Sequence, residues 1–204
     1  MTDALSPADG WFASPAPRLI PPQPARRGIA FRLMSRLAQR FGRSEIPDIF
    51  VVFNINPRLF WPWLFFASRL MPFGRLNARQ RELIILRTGW NCRSRYEWGQ
   101  HVDIALRVGV SDDEIVCSTQ SPDRWTDPVM RLLMQACDEL HHDHRVSDAI
   151  WTRLSAHYDA KRLIEIVILV GHYQMVAGFL NSAGIALEPA TEATLQAFFR
   201  RVSR

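Results

Sequence analysis

From Lys161 to about Ser182 the chain is almost continuously apolar. That run is too continuous for a surface helix, which needs a polar stripe facing water. A helix of this kind must be enclosed, either in a domain core or between subunits. The other strongly apolar stretch, Leu59 to Met71, is broken by Pro62 and Arg69. It is too short and too interrupted to span a bilayer, so no membrane span is expected.

Helix-start signals punctuate the rest of the chain, and no run alternates like a strand. Asn77 with Gln80 three residues on forms a capping arrangement ahead of Arg81-Glu82-Leu83-Ile84-Ile85-Leu86. Ser111 and Glu114 form a capping box. Thr126 or Asp127, followed by Pro128, starts a helix to about His142. Ser147 caps a helix through Tyr158, and Thr191 to Val202 closes the chain as an amphipathic tail. The expected fold class is all-α. Residues 1–25, rich in Pro, Ala and Ser, read as a flexible arm, and residues 26–204 as a single all-helical domain. The hydrophobic fraction of 48%, with seven Trp and twelve Phe, supplies a sizeable core.

The formal charge is +5, almost all from arginine, since Lys161 is the only lysine. No acidic residue falls between Pro17 and Ser44, and Arg32, Arg36 and Arg40 recur every four residues as a basic stripe on a helix. That stripe reads as a solvated face or as a surface for an anionic partner. No reading helix, ribbon or zinc finger accompanies it, so no nucleic-acid partner is expected. Cys92, Cys117 and Cys137 are three scattered thiols. They suit a reducing, cytoplasmic compartment and neither a disulfide scaffold nor a structural zinc site. Met1 to Pro17 has neither the basic start nor the apolar run of a secretory signal.

Chemistry concentrates in the helix from about Ser94 to Gly109. At roughly 100° per residue, Ser94, Glu97, Ile104, Ala105 and Val108 lie within about 60° of His101. Trp98 and Val102 extend that face; Tyr96, Gln100, Asp103 and Arg107 take the other. Glu97 and His101 therefore sit on the apolar, buried stripe. A buried carboxylate costs several kcal/mol unless paired or protonated. One turn apart, Glu97 can hydrogen-bond the His101 ring. Burial and mutual charge then tune both groups toward neutrality, as general acid–base chemistry requires. Helical geometry leaves this pair open between a site and a satisfied structural contact. No HExxH or second ligand pair accompanies it, and no metal or other cofactor is expected. The cluster His141, His142, His144 reads as a solvated helix end. Cys92, two residues before Ser94, falls close enough to approach the pair.

The order of these motifs resembles the carboxymuconolactone decarboxylase family, which includes the alkylhydroperoxidase AhpD. The resemblance runs from about Asn56 to Glu188 and is carried by Leu76-Asn77-Ala78-Arg79-Gln80-Arg81-Glu82-Leu83-Ile84-Ile85-Leu86-Arg87, Tyr96-Glu97-Trp98-Gly99-Gln100-His101 and Gly109-Val110-Ser111. Gly171-His172-Tyr173-Gln174-Met175, with Asn181, also fits members carrying the Tyr-Glu-Trp-x-x-His pattern. The peroxidase branch places Cys-x-x-Cys-x-x-x-His on this helix with a glutamate upstream. Counted from His101, its two cysteine positions are Ser94 and Glu97, and the glutamate falls on Glu82. The redox thiols are missing, and Cys92 has no resolving partner nearby. The resemblance therefore implies an AhpD-like helical fold in a homo-oligomer. It also implies a decarboxylase-like lyase or isomerase acting on a small lactone or cyclic carboxylic acid. Glu97, His101 and Glu82 are the expected catalytic residues, with Trp98, Ser94 and Cys92 at the substrate and Arg87 or Arg95 as candidate cations. A thiol peroxidase and a non-catalytic oligomeric binding protein are the alternatives.

Overall fold

The computed structural model describes residues 5–40 and 46–203, with side chains in the first helix as far as Arg36. Among them there is no strand. The helices are α1 (Ile29–Arg40), α2 (Asp48–Phe53), α3 (Pro57–Leu70), α4 (Ala78–Asn91), α5 (Arg95–Arg107), α6 (Asp112–Cys117), α7 (Pro128–His142), α8 (Asp148–Ser155), α9 (Ala160–Ala183) and α10 (Pro189–Val202). The capping residues sit where their side chains predict. Asn77 accepts from the Gln80 amide, Asp127 from Val129 and Met130, Ser147 from Ile150 and Asp159 from Arg162. Ser111 and Glu114 close a reciprocal capping box. α8 stops at Ser155, three residues before the expected end at Tyr158.

The enclosed helix is α4. Every residue from Arg81 to Gly89 is buried, because α5, α6, α7 and α9 surround it. α9 behaves differently from its sequence. One side packs on α4, α5 and α7 as a core helix does. Its opposite side leaves Ile164, Ile168 and Met175 exposed, and Gly171 and Gly178 on the same side have open space where a Cβ would stand. An apolar face thus stays in water in the single chain.

The segment read as a flexible arm makes specific contacts. The Trp11 ring centre lies 5.3 Å from that of Trp90 and 5.5 Å from that of Trp98. The Phe12 amide donates to the Arg93 carbonyl at 3.0 Å and the Arg18 amide to Ala183 at 2.8 Å. Arg93 adopts φ +54°, the left-handed conformation of the tight α4–α5 turn. Its guanidinium reaches back to the carbonyls of Gly10 and Asp9 and stacks 4.4 Å from the Phe12 ring centre. A tryptophan with core to pack into outweighs the disorder expected from its Pro/Ala-rich surroundings. α1 presents Arg32 and Arg36 to solvent as the basic stripe requires; the Arg40 side chain lies outside the described residues.

Candidate active site

α4 and α5 form an antiparallel hairpin, and their contact fixes the chemistry. The His101 Nδ1 lies 2.7 Å from Glu82 Oε2. The other oxygen, Oε1, accepts from Arg81 Nε at 3.1 Å. Glu82 is fully buried and Arg81 nearly so. A carboxylate that accepts from Arg81 can also accept an Nδ1 proton from His101, and that tautomer leaves Nε2 able to take up a proton.

This geometry corrects the sequence reading of the pair. Glu97 does not bond His101. It is buried, and neither carboxyl oxygen has a hydrogen-bond partner among the described residues. Its Oε1 instead lies 3.5 Å from where a Cβ would stand on Gly89 of α4. Helical spacing placed Glu97 and His101 on one face, but Glu82 comes from the facing helix and takes the imidazole first. Burial pushes the Glu97 carboxyl well above its usual range, which favours the protonated acid over the carboxylate.

Both side chains line a cavity of about 290 Å³. Much of its remaining wall comes from the segment before and through α2 (Pro47, Ile49, Phe50), from α3 (Trp63, Leu64, Ala67, Ser68) and from α9 (His172, Tyr173, Val176, Leu180). The Tyr173 ring stands edge-on to His101 at 5.0 Å, and its hydroxyl contacts Met71 Sδ at 3.7 Å. Burial, with Glu82 and Glu97 adding to it, keeps that phenol protonated. His172 stacks on Trp63 at 6.0 Å, and burial lowers its pKa to about 4.

Tyr96 and Gln100, expected on the polar face, are buried and half-buried and also line the cavity. Glu188, in the loop before α10, covers them. Its carboxylate accepts from the Tyr96 hydroxyl and the Asp48 amide, each at 2.6 Å, and from Gln100 Nε2. The Tyr96 hydroxyl accepts in turn from the Ile49 amide at 3.3 Å. These bonds tie the α2 wall to α5.

The other expected site residues are placed elsewhere. Trp98 is fully buried among Trp11, Trp90, Phe198 and Phe199. Ser94 is the buried N-cap of α5, with no hydrogen-bond partner for its hydroxyl among the described residues. Cys92 is half-buried, 3.9 Å from His141 Nδ1; burial, then the neighbouring Glu97, raises its thiol to about 12. None of the three lines the cavity. Arg87 forms a two-point bond to Asp138 and donates to the carbonyls of Ser118 and Gln120. Arg95 pairs with Glu192. Neither arginine reaches the cavity, which no arginine or lysine lines among the described residues. The residues that sequence reasoning missed are Tyr173, His172, Trp63, Tyr96 and Gln100. Of these, His172 and Tyr173 carried a signal, as two polar rings within an otherwise apolar helix.

With this geometry the sequence can be compared with known proteins. Residues 57–121 match the carboxymuconolactone decarboxylase family. The matched segment of this family runs from α3 to α6, so it holds Glu82, Glu97 and His101 but not His172 or Tyr173. No curated protein sequence matches the chain. The fold is that of the AhpD core. A peroxidase-related protein from Ralstonia eutropha JMP134, described as an alkylhydroperoxidase AhpD core, superposes with a TM-score of 0.77 at 17% identity. The match covers 88% of this chain and 96% of that one. The debrominase Bmp8, as a cysteine-to-alanine variant in complex with 2,3,4-tribromopyrrole, gives 0.75 at 15% identity, covering 91% and 99%. A putative antioxidant defence protein AhpD from Agrobacterium tumefaciens gives 0.61 at 16%, covering 67% and 94%.

Glu97 also makes a prediction about stability. Below pH 4.5, the ordinary value for a glutamic acid, folded and unfolded chains both hold the proton. Above it the unfolded chain releases the proton and the folded one does not, so Glu97 makes stability fall as pH rises. The Glu97→Gln variant, neutral at all pH, is expected to lack this slope. Its melting temperature relative to wild type should therefore climb as the pH rises above 4.5. Parallel curves would show that Glu97 is ionised in the folded protein.

Proposed function

We propose that this protein is a decarboxylase-like lyase or isomerase that moves a proton on a small lactone or cyclic acid, with His101 as the base. The observation that carries the reading is the pairing of His101 Nδ1 with buried Glu82 at 2.7 Å while the ring lines a mostly apolar cavity. In this reading His101 Nε2 takes a proton from the carbon beside a carbonyl. The neutral Glu97 carboxyl donates a hydrogen bond to the carbonyl oxygen as negative charge collects there. Returning the proton at another carbon isomerises the ring. Where the carbon carries a carboxylate, loss of carbon dioxide leaves the same carbanion, and protonated His101 supplies the proton. Glu82, held by Arg81, steadies the imidazolium that forms in the first case.

With no arginine or lysine in the described wall, the cavity favours the neutral lactone over a free acid. The size suits one substituted ring, and Bmp8, of the same fold, was captured with a small planar ring. Peroxidase chemistry finds no support in the thiols: Cys-x-x-Cys positions hold Ser94 and Glu97, and Cys92 stays protonated. The test is proton–deuterium exchange at the carbon beside the carbonyl of a γ-lactone in heavy water, followed by NMR. Exchange is expected with wild type and lost in His101→Ala. Exchange surviving in that variant, or robust peroxide reduction with a dithiol donor, overturns the reading.

The same reading includes a homo-oligomer in the cytoplasm. From Ile164 onward the exposed residues of α9, Ile164, Ile168, Gly171, Met175, Gly178 and Ser182, repeat at alternating steps of four and three. That is the seam spacing of packed helices, and the glycines allow close approach. The free thiols Cys92, Cys117 and Cys137 suit a reducing compartment.

A further inference from the structure

The basic helix α1 is used by none of this chemistry. On its helical wheel Phe31 points inward, where it is buried against Phe60. Arg32, Arg36, Ile29 and Leu33 fall together on the opposite side, within about 100° of arc. All four are exposed, Ile29 at 71% and Leu33 at 59%. A surface helix normally turns its aliphatic residues inward; here they share the outward face with arginines.

The neighbouring surface continues the pattern. A groove beside α1 is lined by Arg26, Arg27 and Ile29, and across from them by Ile55 and Trp61 of the α2–α3 region. Ile55 is 52% exposed and Trp61 36%. The charge here is one-sided. Between Pro17 and Ser44, the stretch that contains α1, the sequence carries seven arginines and no acidic residue.

We propose that this face docks on an anionic lipid bilayer, with α1 lying in the plane of the headgroups. Ile29 and Leu33 enter the acyl boundary, Trp61 sits at the interface, and the arginines extend to lipid phosphates. A two-fold contact between copies would set the same arginines against one another, so charge selects lipid over a second copy. Nucleic acid would satisfy the arginines but leave the aliphatic residues without a role. The location fits the cavity: α2 and α3, which wall it, join through the Ile55 turn. An apolar substrate dissolved in lipid would thus meet the protein on the side where the cavity wall begins.

Sedimentation of the full chain with vesicles tests the proposal. The vesicles are phosphatidylcholine alone, or with about 30% phosphatidylglycerol. Wild type is expected to bind the mixed vesicles at low salt and to leave them at high salt. Arg32→Gln with Arg36→Gln should weaken binding about twenty-five-fold, near fivefold per charge. Ile29→Gln with Leu33→Gln, which keeps every charge, should weaken it as well. Both pairs are exposed, so circular dichroism and melting temperature should match wild type. Equal binding to phosphatidylcholine, no binding to mixed vesicles, or unchanged binding in either double variant overturns it. So does duplex DNA that binds where vesicles do not.

Discussion

Replacing His101 with alanine is expected to lower turnover of a γ-lactone substrate by about 10²- to 10⁴-fold, the range for losing a positioned acid–base group. The effect should fall on kcat, because the ring contributes little to a cavity lined mainly by aliphatic and aromatic side chains. Added imidazole should restore part of the rate, since the vacated volume lies between Glu82 and the cavity. Rescue separates the roles: a histidine that only buttresses α4 against α5 would gain stability from imidazole but no turnover. An alanine variant at full activity would remove His101 from the reaction.

Replacing Glu82 with alanine is expected to be the most destabilising single change at the site. It strips the acceptor from both Arg81 and His101 in a place that water does not reach. Breaking a buried ion pair by removing one partner costs about 3–5 kcal/mol. In a chain of this length that lowers the melting temperature by roughly 10 °C. Glu82→Gln keeps the shape and one acceptor and should lose much less stability. It should still turn over more slowly, because the imidazolium that forms in the reaction loses its counter-charge. Thermal unfolding of both variants, read beside their turnover, checks the assignment. Equal melting temperatures for Glu82→Ala and wild type would contradict the buried pairing.

Local signals carried most of the fold. A capping side chain acts within three residues, so Asn77, Ser111, Asp127 and Ser147 could each be read before any packing was known. The candidate site was legible only as far as such local rules reach. Periodicity placed Glu97 and His101 on a buried face, and both line the cavity. It could not name the imidazole's partner, because Glu82 stands nineteen residues away on another helix. Trp98 shows the same boundary. Its face was read correctly as buried, but Trp11, from a segment read as disordered, joins the aromatic cluster that encloses it. Tyr96 and Gln100 were read as polar and outward, and so they would be on an isolated helix. Glu188, some ninety residues on, roofs them over.

The bond from the Asp48 amide to Glu188 spans 140 residues. Proteins emerge from the ribosome at about 5–20 residues per second, so the segment containing Asp48 waits on the order of 10 s for its latch to be made. From the time α5 is complete until Glu188 follows, Ile49, Phe50, Trp63 and the α5 face they line lack that latch. The cavity is therefore a late product of synthesis, closed only once Glu188 has been translated. A nascent chain stalled before Glu188 would lack the bonds that tie the α2 wall to α5.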